Sequence, residues 1–363
     1  MESIKPEILL RLSAVPGIGP NKIRALIGRF GFSEGIFRAA PKELSGLIDR
    51  KTAERLHESD DKAFAEKQIE AMHRHGVKLI TFWHKEYPSQ LKHIYDPPAY
   101  LFVKGCLTAT DKFSVGVVGT RQPSNYGKLV TEKLTSDLAR KGLTIVSGMA
   151  YGIDTIAHTS ALNSGGRTLA ILGSGLDVIY PSRNKALAER ISSQGAVISE
   201  FPMGTKPDWQ NFPRRNRIIC GLSLGTLVVE AGAKSGALIT AAMALEQNKE
   251  VFAVPGNIES PSSVGTNDLI KQGAKLVTST EDIFEELEHQ LKGFHQQDEQ
   301  VVDGSTLNES EKKLIRILDN EPKHVDAIAK EAGQSTAQVL SVLLSLELKN
   351  LVKQLAGKQF VRI

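Results

Sequence analysis

The sequence predicts an α/β chain: a Rossmann-like parallel sheet core with a helical domain before it and a winged-helix domain after it. Three observations carry that prediction. Residues 111–280 alternate short apolar runs with helical patterns, the repeated βα rhythm of a parallel sheet covered on both faces. Residues 4–75 read as helices throughout, and residues 311–363 read as three helices with a short β-type tail. A length of 363 residues accommodates two or three domains with a real core. The expected parts are a helical domain at 1–75, a connecting extension at 76–110, the Rossmann-like domain at 111–290, a linker at 291–306 and the winged helix at 307–363.

The helical domain carries its own signature. In LSAVPGIGPNKIRALIGRFG, Leu12 and Val15 precede Gly17-Ile18-Gly19, and Lys22, Ala25 and Leu26 follow. This is the pattern of a SAM-like helix–hairpin–helix, whose glycines make a tight turn and expose N–H groups at the start of the second helix. Such a turn can hold one phosphodiester backbone without reading sequence. A plain αα-hairpin, whose glycines only satisfy turn geometry, fits the same residues. Both readings stand.

Residues 76–110 change character. Short β-type runs at 77–82 and 100–103 are separated by Tyr87-Pro88 and Pro97-Pro98, which end helices and favour extended chain. The stretch is expected along the edge of the next domain. His84 and His93 have no ligand spacing and read as surface histidines.

Within the Rossmann-like region the candidate strands are 114–119, 143–147, 168–172, 196–199, 225–229, 250–254 and 275–277. The candidate helices are 126–141, 153–163, 184–194, 236–247 and 264–271. Ligands of such folds bind outside the carboxyl ends of the strands, so the residues just after each strand are the informative ones. Gly119, Thr120, Arg121 and Ser124 follow the first strand; Ser147, Gly148, Ala150, Gly152 and Asp154 follow the second. Gly173, Ser174, Tyr180, Arg183 and Asn184 follow the third. Loop N–H groups at helix starts attract anions, and Arg121 adds a fixed cationic fork suited to phosphate.

The segment 201–217 stands apart. Pro202, Pro207 and Pro213 predict no regular element, and Trp209 and Phe212 lie beside Arg214, Arg215, Asn216 and Arg217. Rings interleaved with guanidinium groups suit single-stranded nucleic acid, with bases on the rings and phosphates on the arginines. The plainer reading is a loop with inward aromatics and structural ion pairs. Binding is preferred, because three arginines in four residues would crowd each other without anions.

Residues 291–306 are polar and aperiodic, as a linker is. In the winged helix the third helix, 335–349, would be the DNA-reading one, with Ser335 and Thr336 as caps. It carries no arginine and one lysine, which favours a protein contact or weak DNA contact over specific reading.

Charge is unevenly placed. The formal net charge is +4; residues 281–310 hold nine acidic residues and one basic, residues 311–363 are at +3, and residues 1–280 are at +9. That balance suits nucleic acid and an ordinary basic enzyme alike. No run approaches a membrane span, and MESIKPEILL lacks the regions of an export signal, so no membrane association and a cytoplasmic location are expected. Cys106 and Cys220 make no disulfide scaffold and no metal-ligand spacing.

Much chemistry is missing. The turn Gly119-Thr120-Arg121-Gln122 fails GxGxxG, and the interval from Gly119 to Gly127-Lys128 fails the Walker spacing. There is no clustered metal set, and no cofactor is expected. Asp154 and His158, four apart on a helix, could pair as acid and base, but a loop-capping Asp over a packed His is the preferred reading. Ser147 and Ser174 lack the GxSxG context of a nucleophile. No catalytic residue is assigned, and binding outranks catalysis.

These motifs in order, YPSQLKHIYDPPAYLFVKG, VGTRQPSNYG, SGMAYGIDTIAH, LGSGLDVIYPSRN, FPRRNRIICGLS and VVEAGAKSGALITA, resemble the DNA-processing protein A (DprA/Smf) family. The resemblance covers residues 80–280 densely, and the flanking modules fit the family's longer members. It implies a bacterial cytoplasmic protein of natural transformation and recombination. Such a protein binds single-stranded DNA, forms a homodimer, loads RecA recombinase onto the strand, and is not an enzyme. It implies Arg121 and Arg183 as backbone contacts, Phe212 as a stacking ring, and the segment around Asp268 and Val277 as a dimer contact. Cys220 stands where a small residue such as alanine is expected.

Two rivals remain. One is a Rossmann-like hydrolase acting on nucleoside monophosphates, although EAGAKSGA replaces the PGGxGT turn and catalytic Glu of such enzymes. The other is an adaptor that recruits recombinases through the winged helix, with DNA contact incidental.

Overall fold

Val115, Val117, Ile145, Val146, Leu169 and Ile198 are wholly out of solvent, as strands lying between two helix layers must be. The computed structural model describes residues 5–59, 61–294, 308–318, 323–348, 352–355 and 357–362. The chain divides into two units, Met1–Lys292 and Gly293–Ile363.

The first unit opens with helices α1 (Pro6–Ala14), α2 (Pro20–Phe30), α3 (Pro41–Leu44), α4 (Arg50–Glu58) and α5 (Lys62–His75). A proline starts each of α1, α2 and α3, where a helix has no use for the missing N–H. Gly17, at φ +99, makes the hairpin turn, and Gly19 caps α2. These helices share one apolar core with a face of the sheet, running from Ile8 and Leu26 to Phe102 and Ala170. Gln68 on α5 also exchanges two buried hydrogen bonds with the Met203 backbone, at 3.1 and 2.7 Å. The boundary expected at 75/76 therefore lies inside one folded unit.

Nine strands make one sheet: β1 (Lys78–Thr81), β2 (Tyr100–Gly105), β3 (Ser114–Val118), β4 (Thr144–Ser147), β5 (Thr168–Ile171), β6 (Ala196–Ser199), β7 (Gly225–Val228), β8 (Glu250–Ala253) and β9 (Lys275–Leu276). Their order is β1-β2-β6-β5-β4-β3-β7-β8-β9. From β6 to β9 every pairing is parallel. The stretch expected along the sheet edge forms that edge: β2 pairs antiparallel with β6, Phe102 opposite Ser199, and β1 pairs antiparallel with β2. Crossovers are made by α6 (Asn125–Arg140), α7 (Ile153–Asn163), α8 (Lys185–Gln194), α9 (Asn211–Leu222), α10 (Gly236–Glu246) and α11 (Val264–Lys271); α12 (Thr280–Leu287) follows the last strand.

Helix α9 runs through a stretch whose prolines predict no regular element. Pro213 sits in its first turn, where the backbone N–H has no intrahelical partner to lose.

In the second unit, α13 (Glu309–Ile317), β10 (Lys323–His324), α14 (Val325–Ala332), α15 (Thr336–Leu348), β11 (Val352–Leu355) and β12 (Gln359–Arg362) surround a core of Leu314, Ile328, Val339, Leu343 and Phe360. The small sheet runs β10-β12-β11. The strand β10 is an addition to the expected pattern, and most of the expected linker, 295–306, lies outside the described residues. Asn308 and Glu311 close a reciprocal cap at the start of α13, both bonds at 2.9 Å.

Candidate nucleic-acid interface

The strand order reverses at β3, with β4 on one side and β7 on the other. Loops leaving β3 and β7 diverge there and open a crevice outside the strand ends. A cavity of about 790 Å³ occupies it, lined by residues 119–122, Trp209, Phe212, Asn216, Lys234 and Ile239 among others. A second cavity of about 530 Å³ lies among Arg121, Lys128, Tyr151, Thr155 and Arg183. A narrow third one is lined by Arg121, Ala150, Tyr151, Gly173, Tyr180 and Phe212. Arg121 borders all three.

The exposed cations stand beside rings. The Arg121 guanidinium lies 5.5 Å from the Phe212 ring centre, and that of Arg183 lies 5.3 Å from Tyr151. Tyr180 and Phe212 have ring centres 6.1 Å apart, and Trp209 is 75 % exposed. Arg214 is exposed and sits 5.2 Å from the Phe201 ring. Neither Arg121 nor Arg183 makes an ion pair or hydrogen bond among the described residues. The arrangement offers cations for phosphates and flat faces for bases.

Several expected contact residues spend their side chains on partners within the fold. Ser147 Oγ donates to Val117 O at 2.6 Å, and Ser174 Oγ to Val178 O at 2.7 Å. Asn184 is buried and donates to Met149 O at 3.0 Å and to Thr155 Oγ1 at 2.8 Å. Arg215 is buried, and its guanidinium donates to the carbonyls of Gly148 and Ile171. Arg217 donates to Asp96 O and pairs with Glu200. Asn216 bridges Arg215 Nε at 3.1 Å and Thr240 Oγ1 at 2.9 Å. The three arginines do not crowd: Arg215 leaves the helix about 100° from Arg214 and is held by carbonyls, and Arg217, on the same face as Arg214, is paired with Glu200. Only Arg214 remains exposed.

The backbone cradle expected after Ser147 is also occupied. Asp154 Oδ2 accepts from Gly148 N and Ala150 N, each at 3.2 Å. In the turn after β3, Thr120 N donates to Glu230 O at 2.8 Å, and Ser124 N donates to Glu230 Oε2 at 2.9 Å. Glu230 Oε1 accepts from Ser262 Oγ at 2.6 Å. Ser124 Oγ is spent capping α6 through Gly127 N at 3.1 Å. After Gly173, the N–H of Gly175 goes to Thr205 O. Gly152, at φ +76, lets the second loop press against the backbone of Thr120 and Arg121. A side chain there would push Arg121 out of place.

Burial dominates the electrostatics below these loops. It pulls the Arg215 guanidinium down to about 10; adjacent Asp154 opposes the shift and Arg121 adds to it. Asp154 is raised by burial, against Arg215 and the two N–H groups. His158, fully buried, donates to or accepts from Thr168 Oγ1 at 2.7 Å through Nδ1. Burial and then Arg215 hold it down to about 3. Asp154 and His158 thus face different partners and form no acid–base pair. Burial pushes the Cys220 thiol up to about 12, so it packs as a small apolar group. Among the described residues no group of three or more metal-ligating side chains occurs, and no helix is long and apolar enough to cross a membrane.

Val277 is completely buried, its N–H on Ala253 O, so its side chain has no surface for a partner. Asp268 is half-exposed and 3.3 Å from Lys271. Sequence reasoning left out Lys128, Tyr151, Lys234 and Glu230. Tyr151 had a signal, the one large ring in SGMAYGIDT. Glu230 had another, a carboxylate directly after an apolar strand.

A doubly wound sheet whose switch point carries exposed rings, and arginines unpaired among the described residues, defines a Rossmann-like protein. The chain belongs to the DNA recombination-mediator protein A family, whose model matches residues 78–288. The DprA winged helix domain matches residues 302–358, and a SAM-like helix-hairpin-helix tandem matches residues 9–59. The chain is 39% identical to Protein Smf of Escherichia coli, over 98% of this chain and 95% of that one. It is 49% identical to DNA processing protein DprA of Bacillus subtilis over 60% of this chain and 74% of that one. Its fold is similar to DNA processing protein A of Streptococcus pneumoniae, with TM-score 0.66 and 38% identity, covering 77% of this chain and 95% of that one. It is also similar to DNA processing protein A of Helicobacter pylori, a protein described for its single-stranded DNA binding mode. That match has TM-score 0.53 and 29% identity, covering 59% of this chain and 96% of that one.

Proposed function

We propose that this chain binds single-stranded DNA across the strand-end loops and loads RecA recombinase onto it during natural transformation and recombination. One observation carries the DNA reading: Arg121, exposed and without an ion pair among the described residues, borders three adjoining cavities and lies against Phe212. Arg121 and Arg183 hold the backbone, Arg214 and Lys128 extend the positive edge, and Phe212, Tyr151 and Trp209 offer stacking faces. Membership of a recombination-mediator family supports RecA as the partner, and the similarity to the Helicobacter pylori protein supports the single strand as ligand. The same membership supports a cytoplasmic homodimer with a binding role, not an enzymatic one.

A gel-shift titration with single- and double-stranded oligonucleotides at two salt concentrations tests the reading. Single strands should bind more tightly. Arg121→Ala with Arg183→Ala should weaken dT binding and flatten its salt slope by about 1.4, two phosphate contacts at ~0.7 each. An unchanged affinity and slope would remove the proposed interface. Incubation with nucleoside monophosphates should release no free base; release would favour the hydrolase rival.

A further inference from the structure

We propose that Asp154 and Glu230 are built-in stand-ins for phosphate. They close the two nucleotide-type cradles of the fold and so set its specificity for a strand over free nucleotides. The inference rests on the DNA-binding reading only in naming the strand as the favoured ligand.

In doubly wound folds, N–H groups of the loops at the switch point are what a free nucleotide's phosphate binds. Here those donors already point at carboxylates of the same chain. Gly148 N and Ala150 N go to Asp154, and Ser124 N goes to Glu230. Both carboxylates are more than nine-tenths buried, at 6% and 3% exposure. Each is held from behind as well: Asp154 lies beside the Arg215 guanidinium, and Glu230 takes the Ser262 hydroxyl at 2.6 Å. The Glu230 carboxylate also fills the space that a Cβ at Gly127 would need. An incoming phosphate would meet a buried carboxylate already seated on the N–H groups at each place where a nucleotide-binding protein of doubly wound fold presents them open.

Arg121 and Arg183 lie outside both cradles and are exposed. A lone phosphate would gain little from one exposed guanidinium. A polymer gains from several such contacts at once, with counterion release at each. The internal carboxylates thus leave the binding energy to repeated phosphates.

Thermal melting of the full chain with inorganic phosphate or AMP, against sodium chloride at matched ionic strength, tests this. The wild type should show no rise beyond that in chloride. Asp154→Ala frees two N–H groups and leaves Arg215 facing the cavity. It should gain about 2 °C at phosphate ten times its dissociation constant, and Glu230→Ala should gain a comparable shift at the other turn. Equal responses in wild type and variants, or no response in either variant once folded, would overturn the proposal. Where a variant does not fold, amide spectra of the wild type decide. The Gly148 and Ala150 signals should stay fixed on adding phosphate or AMP, and their movement would overturn it. A wild type that ignores both dT oligonucleotide and phosphate would sink the DNA reading and leave the closed cradles standing.

Discussion

At the scale of single residues, neighbours in sequence do unlike work. Arg214 is exposed against Phe201, whereas Arg215 is buried against two carbonyls and Asp154. Replacing Arg215 with Met should destabilise the fold by about 3–5 kcal/mol, because Asp154 is left buried without its counter-charge. Arg214→Ala should change stability by less than about 1 kcal/mol and act on DNA affinity instead. Urea unfolding and oligonucleotide titration separate the two. His158 contributes a pH dependence of defined sign. Its folded value, about 3, lies below the ordinary 6.5, so between those values the unfolded chain binds more protons. Stability is therefore complete above pH 6.5 and falls on acidification, by at most about 1.4 kcal/mol per pH unit. Asp154 and Glu200, raised chiefly by burial, act in the opposite sense, favouring the folded state at low pH. Comparison with His158→Gln isolates the histidine: the variant should show the shallower loss between pH 6.5 and 3.

At the scale of elements, α9 is central to the proposed interface because its N-terminal end does two things. It starts with Phe212 and Pro213 facing the cavity, and it buries Arg215 one residue past Arg214. Phe212→Ala should lower affinity for dT tracts by about 1–3 kcal/mol, the worth of one stacked base, with the melting temperature nearly unchanged. The third helix of the winged unit behaves differently. Ala337, Gln338, Ser341 and Leu344 are exposed along α15, with Leu344 at 59%, and none is a cation. Removal of residues 305–363 should therefore spare single-strand affinity and its salt slope. If recombinase recruitment is lost in that truncation while DNA binding persists, the adaptor role belongs to this unit.

At the scale of the whole molecule, the helical module is not an appendage. Ile8 and Leu26 share a core with Phe102, and Gln68 ties α5 to the loop after β6, the loop that leads to Trp209. Gln68→Ala should expose the buried Met203 N–H and carbonyl, costing about 1–3 kcal/mol. It should also loosen strand binding, measurable on the same oligonucleotide. A homodimer would present two interfaces, so affinity for long dT strands should exceed that for short ones by more than the ratio of site numbers. Sedimentation across a concentration series, with and without substitution of exposed Leu276, tests whether the region near Asp268 forms the contact; a monomer at all concentrations would exclude it.

The sequence by itself determined most of the elements and the sheet edge at which the candidate loops meet. Period-2 and period-3.6 patterns are local, so β3 to β9 and most of their helices were legible, as were Arg121, Arg183 and Phe212 at strand or helix ends. It did not reveal which polar groups were already spoken for. Ser147, Asn184, Arg215 and Arg217 look like ligand contacts in a string of letters, yet their partners, Val117, Met149, Gly148 and Asp96, come from other elements. Only the tertiary structure brings those acceptors within reach, and a buried donor must take whichever acceptor is there. For the same reason the anion cradles, open on paper, are closed in the fold by Asp154 and Glu230.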